Sequence, residues 1–448
     1  MNQSYQDFIA RKSQLDGDSG FDPTFYSPNL FDFQRALVEW SVRKGRAAVF
    51  ADCGLGKTAI QLNCAQNVVE RTNRPVLILT PLAVGAQTVR EAEKFGVEAR
   101  QSRDGKVGGA GIVVTNYEKL HLFDSADFAG VVCDESSILK NYAGATRNAI
   151  VEFLRTVQFR FLMSATPSPN DFTELGNSVE ALGVMRRVEM LSMFFVHDGG
   201  STQKWRLKGH AKDPFWRFAA TWARAVRNPT DLGFDGSGFV LPPLNTHNHV
   251  LPSKPLDGYL FPMTAVTLAE QRQERRETLA ERCDKVSEIA NDSQRPFIAW
   301  CSLNTESARL AKTIAGCSEI TGAQSDEEKE ELMTAFASGE LRAIVTKPSI
   351  AGFGMNWQHC GDMSFFPSHS HEQFYQALRR CWRFGRAGAV NCHIVTTESE
   401  SAVMENLMRK EAQATAMFAK ITENLSSHYN QRSTKYQPTL EMETPSWL

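Results

Sequence analysis

The segment 51–58 (ADCGLGKT) has the residue types and the spacing of a phosphate-binding loop. It lies between an apolar run and a helical stretch, which is the context that such a loop requires. Gly54 and Gly56 permit a tight turn and a close approach of backbone N–H groups to phosphates. Lys57 can reach the β- and γ-phosphates of a nucleotide, and Thr58 can offer its hydroxyl to Mg²⁺. The segment therefore predicts ATP and Mg²⁺ as cofactors.

A cluster of arginines lies far downstream, within 379–386 (RRCWRFGR). The spacing predicts that Arg380 and Arg383 lie one turn apart on the same face of a helix. Their guanidinium groups are planar and permanently charged, which suits contact with phosphates. A distant arginine pair of this kind predicts a second domain that closes over the loop.

Further polar residues follow apolar runs at points where strands are expected to end. Asp134 and Glu135 come directly after the first of these runs, so Asp134 can hold Mg²⁺ and Glu135 can orient and deprotonate an attacking water. Ser164 and Thr166 follow another apolar run, and their hydroxyls can relay the state of the nucleotide to a neighbouring domain. Upstream, the Gln34 amide can pair with the edge of adenine through one donor and one acceptor.

Short apolar runs alternate with helical stretches twice over, which predicts an α/β fold with two parallel-sheet domains in tandem. Ligands of open parallel sheets bind at the carboxyl ends of the strands, so the polar residues above should lie together. The predicted strands are 47–50, 76–79, 111–114, 130–133 and 159–163 in the first half, and 296–300, 341–345, 362–366 and 391–395 in the second.

The expected domain limits follow from changes in composition. They are an N-terminal extension (1–30), a first, ATP-binding domain (31–182), a basic and aromatic helical insertion (183–255), a helical linker (256–290), a second domain (291–425) and an extended tail (426–448). The insertion interleaves Trp205, Arg206, Trp216 and Arg217, and two interpretations are open. Such residues can stack bases and contact phosphates, or the tryptophans can pack onto the first domain.

The overall composition narrows the class of protein. With 448 residues, of which 42% are hydrophobic, the chain fits two or three globular domains. The net charge of −2 means that a polyanion must be bound by a local basic groove. The nine cysteines contain no Cys-x-x-Cys pair, which argues against a zinc site and a disulfide framework. Without a membrane-length apolar run or a secretory signal, we expect a cytoplasmic protein, in the host cytoplasm if the source is viral.

Taken in order, these blocks resemble the superfamily 2 helicases, which include the DEAD/DEAH-box proteins, and more closely their Swi/Snf-type double-stranded DNA translocases. The resemblance covers about residues 31–410. It implies two RecA-like domains, with Arg380 and Arg383 as arginine fingers that stabilise charge on the transferred γ-phosphoryl group. It also implies that Gly352 contacts the nucleotide and that Gln376 couples the domains. Arg379 is expected to make a structural or DNA-facing contact.

The resemblance also implies a set of nucleic-acid contacts in both domains. These residues are Thr80, Pro81, Thr115, Asn116 and Tyr117 in the first domain, and Ser302, Asn304, Thr321, Gly322, Thr346, Lys347 and Asn356 in the second. Two departures from the family pattern, Arg386 in place of glutamine and Ser136-Ser137 after the acid pair, indicate a divergent branch. The lack of recognisable chromatin-reading modules favours a bacteriophage or bacterial origin.

The favoured function is a monomeric, DNA-dependent ATPase that moves along double-stranded DNA. A strand-separating DNA or RNA helicase is the alternative within the same class. From another class, the chain could be an ATP-switched clamp on DNA that recruits a replication, nuclease or defence protein. A metabolic kinase is disfavoured because such an activity does not explain the second domain.

Overall fold

A computed structural model of the chain describes residues 18–198, 201–252, 268–352, 356–368 and 370–429. Most of the predicted N-terminal extension, the first part of the predicted linker and most of the predicted tail lie outside these residues. The described part is a mixed α/β structure with two large parallel sheets, which confirms the predicted fold class.

Fifteen strands are present in the described residues. They are β1 (Arg46–Ala51), β2 (Val76–Thr80), β3 (Ala99–Gln101), β4 (Ile112–Asn116), β5 (Gly130–Cys133), β6 (Phe159–Met163), β7 (Phe195–Asp198), β8 (Ser201–Leu207), β9 (Ala223–Val226), β10 (Leu244–Leu251), β11 (Phe297–Trp300), β12 (Cys317–Ile320), β13 (Ala343–Thr346), β14 (Asp362–Phe365) and β15 (Val390–Thr397). The first sheet has the order β3-β4-β2-β5-β6-β1-β9 and the second β10-β15-β14-β11-β13-β12, while β7 and β8 form an antiparallel pair.

Helices connect the parallel strands and pack on the faces of the sheets. In the first part of the chain they are Asp32–Lys44, Lys57–Thr72, Gly85–Lys94, Ala145–Leu154, Leu175–Leu182, Arg187–Phe194 and Lys212–Trp222. In the second part they are Leu268–Glu277, Leu279–Asp292, Asn304–Thr313, Asp326–Ser338, Pro348–Ala351, His371–Leu378 and Ser401–Tyr429.

The nine predicted strands are all present, within two residues at either end. Their continuous apolar runs are buried, as expected for parallel strands covered by helices on both faces. The parallel register places Leu79 opposite Cys133, so β2 and β5 end at the same edge of the first sheet. The residues that follow these strands therefore emerge side by side.

The segment assigned to an insertion contributes strands to both sheets. β9 pairs with β1 in the first sheet, and β10 pairs with β15 at the edge of the second. β9 has only four residues and β10 is mostly polar and exposed, so neither carries the apolar run that predicts a parallel strand. Trp216 and Trp222 are buried in the core of the first sheet, which favours the packing interpretation of these aromatic residues.

The helix Ser401–Tyr429 joins the two halves of the molecule. It begins shortly after β15 in the second sheet, yet Met417, Phe418 and Ile421 are buried in the core cluster of the first. The last helix of the described residues therefore packs on the first domain, although it follows the last strand of the second sheet. Among the described residues, no helix is both long and apolar enough to span a bilayer.

Candidate nucleotide site between the two sheets

The loop between β1 and the helix Lys57–Thr72 has the backbone of an anion cradle. Gly54 and Gly56 have φ values of 90° and 73°, in the left-handed region that favours glycine. A Cβ atom on Gly56 would lie 2.3 Å from Gln34 Nε2, and one on Gly54 would lie 2.9 Å from the Phe384 ring. Lys57 Nζ donates to the Ala51 carbonyl at 3.2 Å. The loop leads into a long helix whose N-terminus favours anions.

The acid pair at the end of β5 is buried beside this loop. Asp134 and Glu135 are 6% and 7% exposed, and Gln61 Nε2 donates to Asp134 Oδ1 at 2.5 Å. Burial, and then the neighbouring Glu135 charge, raise the pKa of Asp134 to about 7, while Lys57 acts in the opposite direction. A bound cation would favour the ionised carboxylate.

Glu135 has an unusual backbone conformation. Its φ of 46° and ψ of 52° are left-handed, which is costly for a residue with a long side chain. Such strain costs about 1–3 kcal/mol and is found most often at functional sites. The conformation turns the chain sharply at the end of β5.

Both sheets contribute to one cavity of about 210 Å³ at this position. Arg380 and Arg383 reach it from the second sheet, opposite the loop and the acid pair. Its lining includes Gly54, Gly56, Lys57, Thr58, Asp134, Glu135, Asn356, Arg380 and Arg383. Nearly all of the residues predicted for phosphate, metal and catalytic roles therefore meet in one place. Gly352 is not part of the lining.

Gln376 connects Glu135, Thr166 and Arg380. Its Nε2 lies 3.5 Å from both Glu135 Oε2 and Thr166 Oγ1. Its Oε1 accepts from Arg380 Nη2 at 3.0 Å, and Ser164 Oγ accepts from the Thr166 N–H at 3.0 Å. The three residues predicted to couple the domains thus lie in one hydrogen-bonded network with a catalytic candidate.

The arginines are not on a helix, which corrects the prediction of a shared helix face. The helix His371–Leu378 ends first, and Arg379 is its C-cap residue. The Arg380 carbonyl accepts from the Trp357 N–H at 3.0 Å. This tertiary hydrogen bond replaces the one that the carbonyl would accept within a helix. Burial, and then the charge of Arg380, lower the pKa of Arg383 to about 10, which still leaves the guanidinium charged at neutral pH.

Gln34 is buried and already holds the phosphate loop. Its Nε2 donates to the Leu55 carbonyl at 2.9 Å, and its Oε1 accepts from the Phe31 N–H at 3.0 Å. In this arrangement the Gln34 amide stabilises the conformation of the loop. A hydrogen-bonded contact of Gln34 with adenine remains a prediction.

Several residues of the site were missed at the level of sequence. Gln87, Glu91 and Gln358 line the cavity, and Asp52 contacts the second domain from the base of the loop. Gln87, Glu91 and Gln358 belong to none of the motifs identified in the sequence, whereas Asp52 lies inside the phosphate loop at a position without an assigned role. The one sequence signal for any of these residues is the position of Asp52 within the phosphate loop.

A second, larger cavity of about 510 Å³ lies next to the nucleotide site. Glu135 borders both cavities. Of the predicted nucleic-acid contacts, Pro81, Asn116 and Tyr117 line the larger cavity, and Tyr117 Oη donates to the Asp134 carbonyl at 2.5 Å. The cationic lining residues are Arg103, Lys119, Lys140 and Lys329, and the acidic ones other than Glu135 are Glu118, Asp326, Glu327, Glu330 and Glu372.

Other predicted nucleic-acid contacts have different surroundings. Thr80, Thr115 and Thr346 are buried, and their hydroxyls donate to the Thr115, Ser102 and Ile320 carbonyls, so these side chains connect strands. Asn356 lines the nucleotide cavity instead. The remaining predicted contacts, which lie at strand and helix ends of the second sheet but line neither cavity, are Ser302, Asn304, Thr321, Gly322 and Lys347.

Comparisons with known proteins give weak, partial similarities. The chain is 29% identical over 166 residues to the "SWI/SNF-related matrix-associated actin-dependent regulator of chromatin subfamily A-like protein 1" of Xenopus tropicalis, which covers 34% of this chain and 17% of the relative. It is 25% identical over 188 residues to the mouse "DNA annealing helicase and endonuclease ZRANB3", which covers 38% of this chain and 17% of the relative.

A third similarity extends over most of both chains. The "Putative protein p41" of Acyrthosiphon pisum secondary endosymbiont phage 1 is 22% identical over an alignment of 450 residues, with 85% of this chain and 96% of the phage protein covered. No model of a known protein family matches the chain. The matches thus span about a sixth of the two animal proteins and nearly all of the phage protein.

Proposed function

We propose that the chain is an ATP-dependent motor of the superfamily 2, Swi/Snf-like type, which couples ATP hydrolysis to translocation on double-stranded DNA. The observation that carries the proposal is the shared cavity, where Lys57 and the acid pair of the first sheet face Arg380 and Arg383 of the second. Because residues from both domains complete the cavity, nucleotide binding and domain closure favour each other.

The residues present fit ATP and Mg²⁺. The glycine cradle and Lys57 suit the β- and γ-phosphates, and Thr58 and Asp134 offer the oxygen ligands that Mg²⁺ prefers. Mg²⁺, when bound, would neutralise phosphate charge. Glu135 accepts the proton of the attacking water, and Arg383 supplies positive charge where negative charge develops during transfer.

We assign nucleic acid to the larger cavity. Lys119 provides a cationic group for a phosphate backbone and Asn116 a neutral hydrogen-bonding group, while the Lys140 ammonium pairs with Glu372. Glu135 lies at the border with the nucleotide cavity, so a strand in the larger cavity would lie close to the catalytic base. This placement gives a direct route by which nucleic acid can stimulate hydrolysis.

The choice of duplex DNA rests on the similarity to the two animal proteins, one of which is named as a DNA annealing helicase. The similarity to a phage protein along most of the chain supports a bacteriophage or bacterial origin. We propose that the protein works as a monomer, because one chain supplies both sides of the nucleotide cavity.

The test is steady-state ATP hydrolysis without nucleic acid and with double-stranded DNA, single-stranded DNA or RNA. Strong stimulation by duplex DNA that is lost in Arg383→Ala is the expected result. Stimulation by a single strand or RNA alone would replace the translocase with a helicase. Nucleotide-dependent DNA binding without stimulated turnover would replace it with a clamp.

A further inference from the structure

Asp52, at the base of the phosphate loop, is held by residues of the second domain. Tyr375 donates its hydroxyl to Asp52 Oδ1 at 2.5 Å, and Arg379 Nη2 donates to Asp52 Oδ2 at 2.9 Å. The same Arg379 nitrogen donates to the Cys53 carbonyl at 2.7 Å. Within the loop, the Cys53 N–H donates to Asp52 Oδ1 at 2.6 Å. Two of the three hydrogen bonds to this carboxylate therefore cross between the domains.

The contact is enclosed by aromatic side chains. Arg379 is fully buried and Asp52 is 8% exposed. The Arg379 guanidinium lies 5.1 Å from the ring of Trp382, 5.4 Å from that of Phe384 and 5.7 Å from that of Tyr375. Burial, followed by the nearby Asp52 charge, raises the pKa of the Tyr375 phenol well above its usual value, so the phenol keeps its proton and can donate.

Stability alone does not account for this ion pair. Arg379 Nε and Nη1 have no hydrogen-bond partner among the described residues, and a buried charge with unsatisfied donors is costly. Buried ion pairs contribute little net stability, and their best-attested use is to set the register of packed elements. A role in fixing the relative position of the elements that it joins therefore explains the Asp52–Arg379 pair better than a contribution to stability does.

The ion pair joins two elements, the phosphate loop (51–58) and the segment 379–386 that contains the arginines. Arg379 directly precedes Arg380, and Phe384, which packs against Gly54 of the loop, directly follows Arg383. The two arginines that line the nucleotide cavity thus lie between two contacts with the same loop.

We propose that Asp52, Tyr375 and Arg379 form an interdomain latch, which holds the second domain in register on the phosphate loop so that Arg380 and Arg383 reach the nucleotide. The inference rests on the proposed function and deepens it. The latch uses protein groups alone, so it acts whether or not a γ-phosphate is bound. Its three members are positioning residues, because they act through Arg380 and Arg383.

The test is Arg379→Met in the full chain, assayed for nucleic-acid-stimulated ATP hydrolysis. Misplacement of catalytic groups by about 1 Å costs about 100-fold, so we expect kcat to fall by about that factor. The loss should be mainly in kcat, with a smaller rise in the KM for ATP, because the loop and Lys57 remain. Tyr375→Phe, which keeps the ring and removes one hydrogen bond, should lose less.

A second substitution separates a latch from a general loss of structure. In Arg379→Met the Asp52 carboxylate is buried without its partner, and Asp52→Asn removes that charge. We therefore expect the double variant to recover part of the kcat lost in Arg379→Met, so that the two changes are not additive. Additive losses would overturn the latch.

Arg147→Met is the matched control. Arg147 is also buried, pairs with Glu180 and lies 4.8 Å from the ring of Tyr142, but all three residues belong to the first domain. We expect this variant to unfold at a lower temperature while its kcat stays close to that of the wild type. Wild-type kcat in Arg379→Met, or an equal loss in Arg147→Met, would overturn the proposal.

Failure of the proposed function would be recognised separately. If the wild type hydrolyses no ATP with any nucleic acid, the proposed motor function is rejected. The latch is then tested by its effect on the distance between the domains. Small-angle X-ray scattering should then give a larger radius of gyration for Arg379→Met than for the wild type and Arg147→Met. An unchanged radius would overturn the latch as well.

Discussion

At the scale of single residues, Glu135 combines the features expected of a catalytic base. It is buried, it borders both cavities, and its backbone is held in a left-handed conformation. Strain of this kind persists only when the surrounding structure enforces it. Here the Gln376 amide lies within 3.5 Å of the carboxylate, and the Glu135 carbonyl accepts from the Ile138 N–H at 3.2 Å.

Glu135→Gln should bind ATP with nearly unchanged affinity and lose turnover by at least about 100-fold, because general base catalysis contributes about 10²–10⁴-fold. The amide keeps the size of the side chain but cannot accept the proton of the attacking water. Equilibrium nucleotide binding and steady-state hydrolysis, measured on the same preparation, check both parts. Glu152→Gln, at an exposed site on the helix Ala145–Leu154, is the control. Normal turnover in Glu135→Gln would refute its role as the base.

At the scale of elements, the helix Asp326–Ser338 presents an acidic first turn to the larger cavity. Arg103 of the first domain pairs with Glu327 at 2.8 Å and with Glu330 at 3.7 Å. Both pairs are partly exposed, so each contributes at most about 1 kcal/mol. They nevertheless neutralise Arg103 at the border of the cavity that we propose for nucleic acid.

The double change of Glu327→Gln and Glu330→Gln should tighten nucleic-acid binding by a few-fold, since Arg103 is released and two negative charges leave the cavity. The gain should shrink as the salt concentration rises. Fluorescence anisotropy with a labelled duplex at several salt concentrations measures the effect. Glu331→Gln with Glu340→Gln changes the net charge equally, at exposed sites that do not line the cavity. An equal gain in that control would reject a local effect.

At the scale of the whole molecule, the helix Ser401–Tyr429 connects the domains as a packed element. Ile421 is fully buried in the core cluster of the first sheet, although the helix begins beyond the end of the second. Both domains therefore share apolar burial, and unfolding of one removes packing from the other.

Ile421→Ala should lower the free energy of unfolding by about 2–5 kcal/mol, as expected for a large-to-small change in a core. Because the lost contacts join the domains, we expect denaturant unfolding to separate into two steps. Circular dichroism and tryptophan fluorescence, followed through the same titration, would then cease to coincide. Met408→Ala, on an exposed position of the same helix, should change stability by less than about 0.5 kcal/mol. A small effect at Ile421 would argue against the shared core.

Much of the fold and of the candidate site can be predicted from sequence because the signals are local. Continuous apolar runs mark buried parallel strands, and a glycine loop between a strand and a helix marks an anion cradle. The placement of Asp134, Glu135 and Ser164 at strand ends follows from the parallel arrangement alone. The structure brings the glycine loop, Asp134 and Glu135 together around one cavity, while Ser164 accepts a hydrogen bond from the Thr166 N–H in the network beside it.

Contacts between distant segments decided the rest. The helix before Arg379 ends at Leu378, and the Arg380 carbonyl accepts a hydrogen bond from the distant Trp357 N–H. The exposed strand β10 is defined by its pairing with β15. The contact of Asp52 with Arg379 joins residues on opposite domains. Local sequence carries the propensity of a segment and the chemistry of its side chains, but it contains no information on which carbonyl or carboxylate a distant donor will meet. That pairing depends on how the two sheets and the closing helix pack, and it determines the geometry of the proposed latch.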